Sequence, residues 1–204
     1  MSALKSLRRT LRDSRRSLSA RCQRAHARRV CGLLRRDARF LRARRIAAYW
    51  PTDGELDPLP LVHQALERGK AAYLPILGMA FGREGRAKLR FARYLPRQRM
   101  RPNRFGIPEP GLRGRHVRPV RDLDLILMPL VGFDSNGNRI GMGGGFYDRT
   151  LAYLKTRRHW RRPRLIGLAH ECQRLETIVP NPWDIPLDAV VTELRIYFRS
   201  RPER

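Results

Sequence analysis

The sequence predicts an α/β fold: a three-layer α/β/α sandwich whose central sheet is largely parallel or mixed, preceded by N-terminal helices. Three observations predict it. Short apolar runs alternate with stretches of helical spacing from residue 46 to residue 192. The run 125–133 is almost continuously apolar, as a strand covered on both faces must be. The first forty residues carry leucines three or four positions apart among arginines, the pattern of amphipathic helices.

The elements follow in order. Leu4, Leu7, Leu11 and Leu18, then Val30, Leu33, Leu34 and Leu41, predict two helices joined near residues 17–21. A short strand at 46–49 runs into the turn cluster Pro51, Thr52, Asp53 and Gly54. Helical spacing resumes over 58–68 through Leu59, Leu61, Val62, Ala65 and Leu66, and Gly69 supplies a stop. Strands are predicted at 71–77 and, after a glycine-containing loop, at 89–94. The Pro- and Gly-rich stretch 102–116 reads as an ordered loop. A central strand at 124–131, a turn at 135–139, a helix at 147–155 and strands at 164–168 and 189–192 complete the pattern. One domain spanning 1–204 is expected, with basic helices over 1–41 packed on the α/β body.

Composition narrows the function. At 42% hydrophobic and 30% charged the chain is globular in kind. Its longest apolar run is about half of the roughly 20 residues that span a bilayer, and residues 1–16 lack the apolar core of a secretory signal, so a cytoplasmic enzyme without membrane attachment is expected. Cys22, Cys31 and Cys172 match neither a metal-site nor a disulfide spacing and read as free thiols. The net charge of +26 attracts anions of every kind. It is almost wholly arginine, spread along the chain, and no nucleic-acid module accompanies it, so no specific nucleic-acid partner is expected.

The chemistry concentrates in one window. Gly141, Gly143, Gly144 and Gly145 fall within five residues, after a turn and before a helix opening with Phe146, Tyr147 and Asp148. Glycine lets backbone approach a ligand closely and adopt positive φ. A loop of this kind before a helix aims backbone N–H groups at a phosphate, and Asp148 is placed to hold a divalent cation between phosphates. A turn serving only chain reversal is the competing reading, but it needs one or two glycines. The spacing is neither a Walker A loop nor a dinucleotide fingerprint. With no lysine in the loop, cationic help must come from Arg139, Arg149 or the N-terminal helix.

The string from Asn138 to Arg149, NRIGMGGGFYDR, resembles the signature of the 5-formyltetrahydrofolate cyclo-ligase family. The resemblance extends to residues 5–9, 49–56 (YWPTDGEL), 105–110 (FGIPEP), 127–134 and 182–188. It implies an ATP-dependent closure of 5-formyltetrahydrofolate to 5,10-methenyltetrahydrofolate, with release of ADP and phosphate. In the family scheme the formyl oxygen takes the γ-phosphoryl group, N10 attacks the formyl carbon, and phosphate leaves.

The resemblance also implies the site. Lys5, Arg8 and Arg9 fall on a basic stretch that contributes to ATP binding, although on their own they read as a solvated helix face. The nucleotide loop falls on Arg139, Gly141, Met142, Gly143, Gly144, Gly145, Phe146, Tyr147 and Asp148, with Arg139 and Tyr147 acting in catalysis. Asp148 and Asp184 correspond to carboxylates for Mg2+; alone, Asp184 reads as a turn residue before Pro186. Trp50 and Glu55, with Phe146 and Tyr147, correspond to the folate site. Aromatic walls plus one carboxylate suit a flat pterin ring, while a core aromatic is the alternative for Trp50.

His170 and Cys172 invite a nucleophile-and-base reading, but the scheme needs none, and a satisfied core or loop histidine is preferred. His26, His63, His116 and His159 show no carboxylate partner in sequence. A different ATP-using ligase or kinase and a basic RNA-binding protein are the competing functions, and a monomer or weak homodimer is expected.

Overall fold

Alternate residues of the most apolar run face opposite sides of a sheet. Leu125 and Leu127 pack into one buried cluster, Ile126 and Met128 into another. The computed structural model describes residues 3–77, 88–111, 114–156 and 162–199. Its N-terminal helices are α1 (Ala3–Arg16), α2 (Ala20–Leu34) and the short α3 (Ala38–Arg42), which the leucine spacing did not separate from its predecessor. Ser19 caps α2 by accepting from the Cys22 N–H at 3.2 Å, and Asp37 caps α3 by accepting from the Arg39 N–H at 2.9 Å.

The chain then forms β1 (Arg45–Ala47), α4 (Leu59–Glu67), β2 (Ala71–Leu77), β3 (Leu89–Tyr94), β4 (Met100–Pro102), β5 (Pro108–Pro110), β6 (Val117–Arg118) and β7 (Leu125–Pro129). β8 (Gly132–Phe133), β9 (Arg139–Ile140), α5 (Phe146–Leu151), β10 (Arg164–Leu168), β11 (Ala189–Val191) and β12 (Ile196–Phe198) follow. Eight strands make one sheet in the order β12-β11-β10-β7-β1-β2-β3-β6. The five strands from β11 to β2 are parallel, with β7 in register against β1 (Ile46 beside Leu125) and β10 (Leu165 beside Ile126). β12, β3 and β6 join antiparallel at the edges.

Helices cover both faces, as predicted. Val30 and Leu34 of α2 and Leu61, Val62 and Ala65 of α4 pack on one side; Leu151 of α5 packs on the other. Gly69, at φ 70°, ends α4 where the sequence put a stop. α1 lies apart from both clusters. Its Leu11 packs with Val131 and Ile140, beside the β8–β9 hairpin that follows the carboxyl end of β7. No helix of the described residues is long and apolar enough to cross a membrane.

The stretch expected to be a loop at 102–116 contains a hairpin, β4 with β5. Prolines flank its turn at Pro102 and Pro108, and the Asn103 side chain accepts from the Phe105 and Ile107 N–H groups at 2.8 and 3.1 Å, organising the turn in place of ladder bonds. The glycine-containing loop expected before β3 lies at 78–87, outside the described residues.

Candidate functional site

The glycine window joins β9 to α5. Gly143 and Gly145 sit at φ 96° and 60°, left-handed backbone that only glycine adopts without strain. The carbonyls of the loop are occupied by cations: Arg8 Nε donates to Gly141 O at 2.9 Å, and an Arg149 terminal nitrogen donates to Gly144 O at 2.7 Å. Among the described residues, the backbone N–H groups of Gly141 to Gly145 donate no hydrogen bond. Gly141, Met142, Gly143 and Gly144 are exposed, so those N–H groups stand open to an anion. α5 has only six residues before it tightens into a 3-10 turn at Ala152–Lys155, so the loop rather than a long helix dipole makes this site.

Arg139 and Asp148 are brought together with the loop that carries Asp184. An Arg139 terminal nitrogen donates to Asp148 Oδ1 at 2.6 Å, and its other terminal nitrogen donates to the Ile185 carbonyl. The Ile185 N–H reaches the same Asp148 oxygen at 3.3 Å. Asp184 Oδ2 accepts from the Asn181 N–H and side-chain amide at 2.8 and 3.1 Å. Asp148 through Oδ1 and Asp184 through Oδ2 thus each meet protein donors with one carboxylate oxygen, and oxygen ligands of this kind are the chemistry a hard cation takes.

A second group of residues gathers where β1 gives way to the turn at 51–57. Glu55 is nearly enclosed; its Oε2 accepts from the Thr52 N–H at 3.2 Å, and its Oε1 lies 3.7 Å from Arg15. Burial pushes the Glu55 carboxyl up, against the pull of Arg15. The Tyr147 hydroxyl is buried with no hydrogen-bond partner among the described residues, and burial, reinforced by the Glu55 charge, pushes this phenol well above its ordinary range. Trp50 is half-buried against the α2–α4 side of the core, whereas Phe146 and Tyr147 lean on the α5 side; they approach the site from opposite faces of the sheet. A cavity of about 510 Å³ lies between α2 and the turn, lined by Gln23, Arg24, Arg28, Thr52, Gly54 and Glu55 among others.

Of the basic triplet on α1, only Arg8 reaches the glycine loop. Arg9 is exposed and paired with Asp13 at 3.9 Å, and Lys5 is exposed on the same helix. Sequence reasoning missed the residue that anchors α1: Arg15 is fully buried, donating to Asp53 Oδ2 at 2.9 Å, to Asp53 O at 2.8 Å and to Leu130 O at 3.1 Å. Within a run of arginines nothing marks the one that faces inward. It also missed Phe105, whose ring meets Phe146 edge-on at 6.3 Å.

His26 has a carboxylate partner that the sequence did not reveal. Its Nδ1 lies 3.4 Å from Glu193 Oε1 and 2.9 Å from His170 Nδ1. His170 is buried, as anticipated, but its Nε2 makes no hydrogen bond of normal geometry although the Gly54 backbone acts on the ring. Burial holds the His170 imidazole down at about 4.

A sequence profile of the 5-formyltetrahydrofolate cyclo-ligase family matches residues 1–193. A 5-formyltetrahydrofolate cyclo-ligase of Escherichia coli is 41% identical over 157 residues, covering 76% of this chain and 81% of that protein. One of Haemophilus influenzae is 43% identical over 147 residues, covering 71% and 73%. The solution structure of a 5,10-methenyltetrahydrofolate synthetase from Aquifex aeolicus superposes with a TM-score of 0.79 at 28% identity, covering 100% of this chain and 96% of that one. The glycine loop, its neighbouring carboxylate and the sheet behind them therefore share one ancestry with these enzymes: the chain belongs to the 5-formyltetrahydrofolate cyclo-ligase family.

Proposed function

We propose that the loop from Gly141 to Gly145 is the nucleotide site at which this chain, using ATP, converts 5-formyltetrahydrofolate to 5,10-methenyltetrahydrofolate. The observation that carries this assignment is the row of loop N–H groups that bond nothing within the described residues, next to the Asp148 carboxylate. When bound, ATP supplies the γ-phosphoryl group that turns the formyl oxygen into a leaving group, so that N10 closes the ring. Because that oxygen is activated by phosphorylation, no nucleophilic side chain is needed, and the protein positions the reactants and offsets charge.

The geometry supports the following roles. The loop N–H groups and Arg8 hold phosphate oxygens, with Lys5 and Arg9 contributing positive field from exposed positions. Asp148 and Asp184 hold Mg2+, and Arg139 orients Asp148 through its bond to Oδ1 while lying close to the transferred charge. Glu55 accepts the N–H donors of the pterin, with Trp50 and Phe146 as aromatic walls. Tyr147, whose phenol stays protonated at neutral pH, donates its hydroxyl hydrogen to a substrate oxygen rather than acting as a base. Arg24 and Arg28, on the cavity rim, meet the glutamate carboxylates of the substrate. The protein works as a cytoplasmic monomer or weak homodimer, and its free thiols suit a reducing compartment.

Purified protein given ATP, Mg2+ and 5-formyltetrahydrofolate should accumulate the methenyl product, read by its absorbance. Folded protein that binds ATP yet forms no product would remove the proposal. Asp148→Asn should lower turnover by about 100-fold or more in protein that keeps a native circular dichroism spectrum, a larger effect than its cost in stability. Equal activity in that variant would show the carboxylate to be misassigned.

A further inference from the structure

Three side chains meet away from the proposed magnesium carboxylates, delivered by segments far apart in sequence. His26 comes from the second turn of α2. His170 and Glu193 come from just beyond the carboxyl ends of the paired parallel strands β10 and β11. Nδ1 of His26 is 2.9 Å from Nδ1 of His170 and 3.4 Å from Oε1 of Glu193, and all three atoms lie within 4.8 Å of one another. Two donors sharing one tetrahedral zinc ion, at bond lengths of about 2.0 to 2.1 Å, stand about 3.3 Å apart. Two of the three separations bracket that value, and the third is within 4.8 Å.

His26 and Glu193 are held as ligands of a metal site are. A ligating histidine usually gives its other ring N–H to an acceptor that fixes the tautomer. Here His26 Nε2 lies 3.2 Å from the Cys22 sulfur, four residues earlier on the same helix. The Glu193 carboxylate is held by the Glu171 N–H at 3.1 and 3.3 Å, and Glu171 is fixed in turn by the Thr192 and Tyr197 hydroxyls at 2.7 and 2.5 Å. His26 and Glu193 are 14% and 8% exposed in their side chains, enclosed but reachable from solvent.

We propose that His26, His170 and Glu193 form a second metal centre, for a borderline divalent transition ion with zinc the best fit, distinct from the magnesium carboxylates Asp148 and Asp184. Imidazole suits zinc where Mg2+ prefers oxygen, and two histidines with one carboxylate leave a fourth position for water. The ion ties α2 to the ends of β10 and β11, so its role is to clamp the N-terminal helices onto the sheet.

The test uses chelator-treated full-length protein without ATP or folate. Titration with Co2+, followed by its visible ligand-field absorption, should reach an endpoint at one equivalent, and Zn2+ should displace the cobalt and raise the thermal midpoint. Separately, His26→Asn and Glu193→Gln should each weaken Co2+ binding by more than about 100-fold, the upper end of what loss of an outer-shell partner costs. Cys22→Ser should weaken it by about tenfold. Asp148→Asn should leave the endpoint unchanged. His170 is buried and its replacement threatens folding, so the His26 and Glu193 variants, checked for native circular dichroism, decide the outcome. Absence of a saturable endpoint, binding that survives in folded His26→Asn, or binding lost in Asp148→Asn would each overturn the proposal.

Discussion

Nε of Arg8 donates to the carbonyl of Gly141 at 2.9 Å, joining residues 133 positions apart. One side chain of the first helix is thereby fixed on the loop whose N–H groups face outward, and the loop's carbonyl is kept from turning into the same space. Arg8→Ala should raise the KM for ATP by about tenfold, the loss of one charge-assisted hydrogen bond and its field, while the half-exposed position keeps the stability change below about 1 kcal/mol. Steady-state kinetics beside a urea titration check both halves.

Arg15 and Arg12 both bond Asp53 Oδ2, at 2.9 and 2.7 Å, but Arg15 is fully buried and Arg12 is one-third exposed. Loss of Arg15 leaves Asp53 with Arg12 and Arg16, but it strips the enclosed Glu55 of its facing guanidinium and the Asp53 and Leu130 carbonyls of a buried donor, which together cost about 3 kcal/mol or more, whereas an exposed pair contributes below about 1 kcal/mol. Arg15→Met should therefore lower the urea midpoint sharply, and Arg12→Ala should barely move it. Equal shifts would show that burial does not govern this cluster.

Glu55 faces Arg15 from α1, Asp53 and the Thr52 N–H from its own turn, Tyr49 from beyond β1 and Tyr147 from α5. Its carboxyl is raised above the ordinary value near 4.5, so the folded state holds that proton more tightly than the unfolded one. The resulting stabilisation is present below that ordinary value and is lost as pH rises through the folded-state value. Glu55→Gln removes this decline: the variant should gain stability relative to wild type as pH is raised from 4 to neutrality. The same change should raise the KM for 5-formyltetrahydrofolate by about 10- to 100-fold, a charged hydrogen bond's worth. A parallel pH series of unfolding curves and folate kinetics separates the two effects.

A β-carbon placed on Gly141 meets open space, whereas one on Gly144 comes within 2.8 Å of the Phe146 ring. Gly141→Val should consequently fold normally yet lose ATP affinity by about tenfold or more, because the new side chain enters the space in front of the loop. Gly144→Val should displace Phe146 and weaken folate binding as well. Unchanged nucleotide affinity in both would place the phosphate site elsewhere.

The glycine loop and the central sheet were legible for different reasons. The loop is written in consecutive residues, 138 to 149, so chemistry and position arrive together. β2, β3 and β10 match their predicted bounds. β12 was missed because three residues between arginines carry no period, and α3 because five residues make barely one turn. The inward turn of Arg15 and the meeting of His26 with Glu193 were illegible for a deeper reason. Each depends on partners supplied by other segments once the sheet is assembled, and an arginine or histidine on a helix looks the same whether it faces water or a carboxylate.

The partners of α1 also order events on the ribosome. Arg15 needs Asp53 and the Leu130 carbonyl, and Arg8 needs the Gly141 carbonyl. α1 thus leaves the exit tunnel long before its berth is finished: until residues 130 and 141 have been translated, an arginine-rich helix must wait without its anchors, and a nascent chain stalled before residue 130 should leave it open to protease.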